Sequence, residues 1–263
     1  PGASSARSLQ ATWRTRRSDL YSFVGVWRIS RGLLHVLAGV LMCATIFPFL
    51  KAPQRLHRAG RWCGRMLGIL GVTLHTSGTP RAGATLLVAN HVSWLDIFAI
   101  NAIAPARFVS KADVRTWPVL GWLVACGGTL FIERERKRDA LRVVHQVAQA
   151  VRDGDTVAVF PEGTTSDGHI LLPFHANLLE AAIATETPAQ PVAVRYSDAS
   201  QAVSAAAAYV GDMGLVESLW RVVTARELRV HVQWLSAQGS RHADRRALAA
   251  WLREQIAAAL KTP

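Results

Sequence analysis

The sequence predicts an α/β fold: a mixed, mostly parallel sheet flanked by helices, preceded by an N-terminal membrane-associated helical segment. Three observations carry this. From about Ala84 onward, short apolar runs alternate with helical stretches, the pattern of a parallel sheet covered on both faces. Upstream lies one long apolar run set among arginines. Half of the 263 residues are hydrophobic and only 18% are charged, more apolar than an average soluble domain, which points to a lipid-facing surface.

Charge separates the two regions. Residues 1–81 hold twelve Lys and Arg against the single acid Asp19, a net +11, whereas residues 82–263 hold eighteen against seventeen, a net +1. The basic excess is therefore N-terminal, and the body is nearly neutral. An evenly basic nucleic-acid binder is excluded by that split. Cys43, Cys63 and Cys126 are far apart and form no C-x-x-C pair, so neither a zinc site nor a disulfide framework is expected, and a reducing compartment fits.

Residues 1–20, rich in Ser, Ala and Arg, are expected as a disordered basic arm. Membrane-anchoring helices are expected over 21–80. Gly32 to Leu50 is uncharged for nineteen residues, just short of the roughly 20 that a spanning helix needs. Arg28 and Arg31 precede it and Lys51, Arg55, Arg58, Arg61 and Arg65 follow, so charge bias sets no orientation, and both a span and an in-plane anchor stay open. The steps of three, three and four between Arg55, Arg58, Arg61 and Arg65 stack four guanidinium groups on one helix face, suited to an anionic membrane surface or simply to solvent. No small-x-small cleavage site follows the apolar run, so a removable signal peptide is not expected.

The α/β body is expected over 81–263. Strands are predicted at 84–89, 106–110, 128–132, 156–160, 190–196 and 228–235, several apolar throughout, as strands buried on both faces are. Helices are predicted at 94–101, 119–126, 137–152, 177–184 and 241–260, the last with Leu248, Trp251, Leu252, Ile256 and Leu260 along one side.

Chemistry is expected where polar residues follow buried strands, because the loops at strand ends share crevices. The first such place is Asn90-His91-Val92-Ser93-Trp94-Leu95-Asp96. Five residues on one helix would separate His91 and Asp96 by about 140°, so His91 must precede the helix. Ser93 then reads as its N-cap, with Asp96 at the third helical position. On that pattern alone Asp96 could serve only the helix end, and His91 only a loop carbonyl.

The second place is Phe160-Pro161-Glu162-Gly163-Thr164-Thr165-Ser166-Asp167-Gly168. Pro161 stops strand pairing, Gly163 permits close backbone approach, and the three hydroxyls can donate to an anion or polar headgroup, although the same residues also make an ordinary polar turn. Between the two, Phe131-Ile132-Glu133-Arg134 delivers Arg134 to a strand end, where a guanidinium can grip phosphate with two bonds; the mixed charge of 134–138 also suits a solvated helix start.

Taken together these segments resemble the glycerolipid acyltransferase family. NHVSWLDIF (90–98) is similar to its N-H-x4-D block, GTLFIER (128–134) to the second block, FPEGTTS (160–166) to the third and QPVAVRY (190–196) to the fourth; Lys111, Pro118 and Gly121 also match the family pattern. The resemblance implies an O-acyltransferase that moves a fatty acyl group from acyl-CoA or acyl-carrier protein to the free hydroxyl of a lysophospholipid, 1-acyl-glycerol-3-phosphate first, giving phosphatidic acid. It implies His91 and Asp96 as the catalytic pair and Arg134, Glu162, Gly163 and Thr164 as acceptor-binding residues.

The residue chemistry is compatible. An imidazole with an unperturbed pKa of about 6.5 can accept a hydroxyl proton near neutrality while Asp96 holds its tautomer. A thiol leaving group, with a pKa near 8.5, needs little acid assistance. No G-x-S-x-G elbow is present, which weighs against an ordinary lipase and favours direct transfer.

Two departures from the family pattern bear on the acceptor. Thr165 stands where an arginine is common, and His175 where relatives often carry lysine. Acylation of a phosphate-free lyso-lipid such as lyso-ornithine lipid is therefore an alternative, as are a lipid hydrolase or remodelling enzyme and a non-catalytic lipid-binding protein. No metal or cofactor is expected, since no H-E-x-x-H spacing occurs; the expected partners are membrane lipids, the lysophospholipid and the thioester donor, with no nucleic acid. A soluble, intracellular donor implies the inner (cytoplasmic) membrane with the active site facing the cytoplasm.

Overall fold

In the computed structural model, backbone is described for residues 2–132 and 137–261, with side chains over 21–132 and 141–261. Helices α1 (Gly2–Thr45) and α2 (Ala52–Leu70) come first, joined through a short 3-10 turn at Phe47–Phe49. The body follows as β1 (Thr73–Ser77), β2 (Thr85–Ala89), α3 (Leu95–Ile103), β3 (Arg107–Lys111), α4 (Leu120–Cys126), β4 (Leu130–Ile132), α5 (Lys137–Arg152), β5 (Thr156–Val159), α6 (Leu179–Ala184), β6 (Ala189–Ser197), α7 (Leu215–Thr224), β7 (Arg229–Trp234) and α8 (Arg245–Lys261).

The strands form one sheet in the order β1-β7-β6-β2-β5-β3-β4. All neighbours pair in parallel except β6 and β7, so β1 and β7 run against the other five. The expected mixed, mostly parallel sheet is thus present. Strand β2 shows why its residues are apolar throughout. Leu86 and Val88 point into a core with α5, α6 and α8, while Leu87 and Ala89 point into a second core with α2, α3 and α7.

Four features differ from the sequence reading. Strand β1 and helix α7 had no expected counterpart. The third difference is the edge of the anchor segment. Met66, Leu67 and Leu70 of α2 lie in the same core as α3, and β1 is a strand of the sheet, so the last part of 21–80 is built into the body. Helical backbone also begins at Gly2, within the segment expected as a disordered arm.

Helix α1 has two distinct sides. Phe23, Val26, Trp27, Leu33, Leu34, Leu37 and Leu41 are all exposed, at a spacing that lines them along one face. The opposite side carries Gly25, Gly32 and Gly39, and packs on the body. A Cβ at Gly25 would lie 2.9 Å from Thr224, and one at Gly39 would lie 2.8 Å from the Trp62 indole nitrogen. Trp62 donates from that nitrogen to the His35 carbonyl at 3.0 Å, and its ring stacks on His35 at 4.8 Å. By length and composition Tyr21–Thr45 could cross a membrane. In the fold, however, one of its sides is occupied by α2 and α7. On α2, Arg61 and Arg65 are exposed and Arg55 and Arg58 half-buried, while Cys63, Met66 and Leu67 are buried.

Candidate active site

Strands β2, β5 and β6 are parallel neighbours, so their C-terminal ends meet at one edge of the sheet, where α/β folds place their sites. Each contributes a loop or side chain. Beyond the last backbone pair of β2, the Asn90 carboxamide continues the ladder. It donates to the Val194 carbonyl at 2.9 Å and accepts from the Val194 amide at 2.7 Å, pinning the β2 end to β6. The chain then turns sharply and delivers His91.

His91 Nδ1 lies 2.8 Å from Asp96 Oδ2, and the same oxygen accepts from the backbone amides of Val92 at 2.8 Å and Ser93 at 3.0 Å. Tyr196, near the end of β6, donates its hydroxyl to the other oxygen, Oδ1, at 2.7 Å. Asp96 is fully buried, and four donors surround its carboxylate. A buried charge persists only when paired and hydrogen-bonded in this way. Because a carboxylate only accepts, the proton of neutral His91 sits on Nδ1, and Nε2 keeps its lone pair. The imidazole stacks on Phe160 with ring centroids 4.0 Å apart, and one-fifth of its side chain remains exposed.

Ser93 does not cap α3 as expected. The helix begins at Leu95 with Trp94 in the capping position and no side-chain cap. Asp96 reaches back to the Ser93 amide, but the Ser93 hydroxyl is buried with no partner among the described residues. The carboxylate holds the Val92 and Ser93 amides of the loop and the histidine together, so one residue in the first turn of α3 both fixes the loop and sets the tautomer.

The third-block residues follow β5. Glu162 is buried, and each carboxylate oxygen holds a backbone amide: Oε1 takes that of His91 at 2.7 Å, Oε2 that of Leu172 at 2.9 Å. Burial pushes its carboxyl above the usual range, against the pull of these two amides. Expected as an acceptor-binding group, Glu162 here grips the backbone of the histidine loop. Gly163 adopts a left-handed φ of 73° beside it, where a side chain would be strained.

The three hydroxyls that follow have different surroundings. Thr164 is exposed, Thr165 donates to the Tyr209 carbonyl, and Ser166 is buried, its amide bonded to the His91 carbonyl at 2.8 Å. The structure therefore gathers His91, Asp96, Glu162, Gly163 and Thr164 at one sheet edge. Arg134 lies outside the described residues. Among the described residues no group of three or more His, Cys, Asp or Glu is placed to hold a metal ion.

Tyr196, Asn90 and Phe160 lie within the sequence motifs, but the motif pattern assigns them no role. Tyr196 had the clearest signal, since it falls at period two with Val192 and Val194 on the core face of β6, where a phenol needs a partner. Nothing in the local pattern announces the Leu172 amide.

A histidine held by a buried carboxylate at the strand ends of a mixed α/β sheet, with an exposed apolar helix face upstream, is the arrangement that the comparisons assign to the acyltransferases. A family model described as Acyltransferase matches residues 71–195. Lyso-ornithine lipid O-acyltransferase of Pseudomonas aeruginosa is 37% identical over 207 residues, covering 79% of each chain. A 1-acyl-sn-glycerol-3-phosphate acyltransferase of Neisseria meningitidis is 37% identical over 211 residues, 78% of this chain and 82% of that one. The fold is similar to the crystal structure of the 1-acyl-sn-glycerophosphate acyltransferase PlsC of Thermotoga maritima, with a TM-score of 0.62 at 20% identity over 89% of this chain and 96% of that chain. The chain belongs to the glycerolipid acyltransferase family and is an O-acyltransferase.

Proposed function

We propose that this enzyme transfers a fatty acyl group from acyl-CoA or acyl-carrier protein to the free hydroxyl of a lysophospholipid, with 1-acyl-glycerol-3-phosphate as the acceptor and phosphatidic acid as the product. The observation that carries the reading is the 2.8 Å contact between His91 Nδ1 and Asp96, which leaves Nε2, on a partly exposed ring, without a hydrogen-bond partner among the described residues. Nε2 removes the proton from the acceptor hydroxyl as its oxygen attacks the thioester carbonyl. The imidazolium that forms is stabilised by Asp96, whose charge is held by Tyr196 and two amides. As the tetrahedral intermediate collapses, the C–S bond breaks, and the imidazolium proton goes to the departing thiolate, which restores neutral His91. No acyl-enzyme is required.

A second acceptor is favoured by one specific observation. Thr165, in the position where the family commonly has arginine, turns its hydroxyl onto the Tyr209 carbonyl, so this position offers no cation to a phosphate. A lyso-lipid without a phosphomonoester, such as lyso-ornithine lipid, is the corresponding substrate, and a relative of that name is as similar as the glycerol-phosphate one.

Helix α1 supports membrane association: its exposed apolar face is available to lipid while its glycine side stays on the body, a division suited to lying in one leaflet. A soluble donor then reaches the site from the cytoplasmic face of the inner membrane. The test is to incubate purified protein with labelled acyl-CoA or acyl-carrier protein and a panel of acceptors with and without phosphate. Acylated lysophosphatidic acid supports the leading reading, and acylated lyso-ornithine lipid alone supports the second. Release of free fatty acid alone, or no turnover with any acceptor, overturns both.

A further inference from the structure

Arg253 on α8 lies far along the chain from every motif, beyond the residues matched by the family model, yet it reaches the catalytic loop. Its Nε donates to the Leu172 carbonyl at 3.0 Å, and a second guanidinium nitrogen donates to the Leu171 carbonyl. The Leu171 carbonyl and the Leu172 N–H are the two ends of one peptide group. That N–H is the donor to Glu162 Oε2 at 2.9 Å, and Glu162 Oε1 holds the His91 amide at 2.7 Å. A single peptide group and a single carboxylate thus separate a cation on the C-terminal helix from the backbone of the histidine.

The order of the links matters physically. A guanidinium at the carbonyl end of a peptide polarises it and makes the N–H at its other end a better donor; in such chains each bond strengthens its neighbour by about 10–30%. Glu162 needs that help, because it is buried and its amide donors are what favour its ionised form. Both amides point at the carboxylate as donors. A protonated Glu162 would set a hydroxyl against one of them, opening the grip on Leu172 or on His91. Arg253 also holds the Leu172 carbonyl directly, so the segment cannot swing away while the guanidinium is in place.

We propose that Arg253 is a positioning residue for the acyl transfer: by holding the Leu171–Leu172 peptide from α8, it keeps both Glu162 oxygens on backbone amides and so fixes His91 against Asp96. This rests on the acyl-transfer reading with His91 as base. In this role Arg253 acts through the Leu171–Leu172 peptide and Glu162. Arg246, on the same side of α8 and lining the same groove, makes no side-chain bond to this segment and serves as the control.

The experiment measures kcat and KM of the full-length enzyme and its Arg253→Gln, Arg253→Lys and Arg246→Gln variants with acyl-CoA and the acceptor that turns over. Arg253→Gln is expected to lower kcat about tenfold or more with both KM values nearly unchanged, Arg253→Lys to recover part of the loss, and Arg246→Gln to match the parent. In a Glu162→Gln background, where the carboxylate link is already broken, Arg253→Gln is expected to add little. Parental kcat in Arg253→Gln, a rise in one KM alone, or fully additive losses in the double variant would overturn the proposal. If Arg253→Gln does not fold, the Arg253→Lys comparison in the two Glu162 backgrounds decides by the same additivity criterion. An inactive parent enzyme would instead sink the acyl-transfer reading itself.

Discussion

Tyr196 donates its hydroxyl to Asp96 Oδ1 at 2.7 Å, so the carboxylate that orients His91 is itself held from a strand 100 residues downstream. Both residues are fully buried, and burial together with the neighbouring charge raises the phenol well above its ordinary pKa, which keeps it a donor. Tyr196→Phe removes one of the four donors to a buried charge. The loss is expected to be roughly 1.5–3 kcal/mol, the range for hydrogen bonds to ionised groups. It should appear as a lowered Tm in thermal unfolding and a reduced kcat with KM nearly unchanged.

Asp96→Asn separates charge from shape. The amide oxygen can still accept from His91 and the two backbone amides, while its NH2 can donate to Tyr196, whose oxygen also accepts. The fold is expected to persist while the imidazolium loses its counter-charge, so kcat should drop by about 10²–10⁴. Circular dichroism beside steady-state kinetics checks both halves. A variant with parental kcat would remove Asp96 from the mechanism.

Glu162→Gln breaks the double clamp, because glutamine offers one oxygen where two amide donors need acceptors. One buried N–H is left unpaired, at a cost of about 1–3 kcal/mol. The pH dependence has a definite sign. The folded carboxyl binds its proton more tightly than the usual value of 4.5, so in the window between that value and the raised one the folded chain holds more protons than the unfolded chain. Stability contributed by this group therefore falls as pH rises through the window. In the Gln variant that part of the slope disappears, which Tm measured across the window will read.

His231 works in the opposite direction. Burial lowers its pKa, and the nearby Arg195, His75 and Arg229 add to the effect. Its ring stacks on His75 at 5.1 Å and its Nε2 lies 2.9 Å from the Ser197 hydroxyl. The unfolded chain takes up this proton near pH 6.5 and the folded chain only below it, so stability is lost as pH falls beneath about 6.5 through the folded value. His231→Gln is expected to flatten that loss in melts recorded on both sides of 6.5. An unchanged slope would assign it to other groups.

Gly39→Leu tests the docking of α1. Its Cβ would meet the Trp62 indole, which cannot retreat because it is bonded to the His35 carbonyl and stacked on that ring. Overpacking of this kind costs about 1–3 kcal/mol. Faster proteolysis between α1 and α2 is expected, with vesicle binding retained, since the exposed Leu33, Leu34, Leu37 and Leu41 lie on the other face.

The separate segments were legible because each announces itself locally. Strands such as β2 are apolar at every position since both faces are covered, and α8 shows its buried Leu248, Leu252 and Ile256 at helical spacing. Strand β1 was not legible: as an edge strand beside β7 it has only Leu74 packed against the core and His75, Thr76 and Ser77 open. The Ser93 cap was misread because the capping pattern S-x-x-D is identical whether the serine hydroxyl or only its amide takes part.

From the sequence alone follow the fold class, the neutral body behind a basic apolar segment, and the placing of His91 just before a helix that carries Asp96. Those are short-range facts, set by periodicity, turn residues and the reach of five positions. Tertiary structure alone decided that Tyr196 completes the Asp96 shell, that Glu162 grips backbone, and that Arg253 stands behind it. Each of these links joins residues tens to a hundred positions apart, and only the parallel pairing of β2 with β5 and β6, and the packing of α8 on β6, bring them within hydrogen-bond distance.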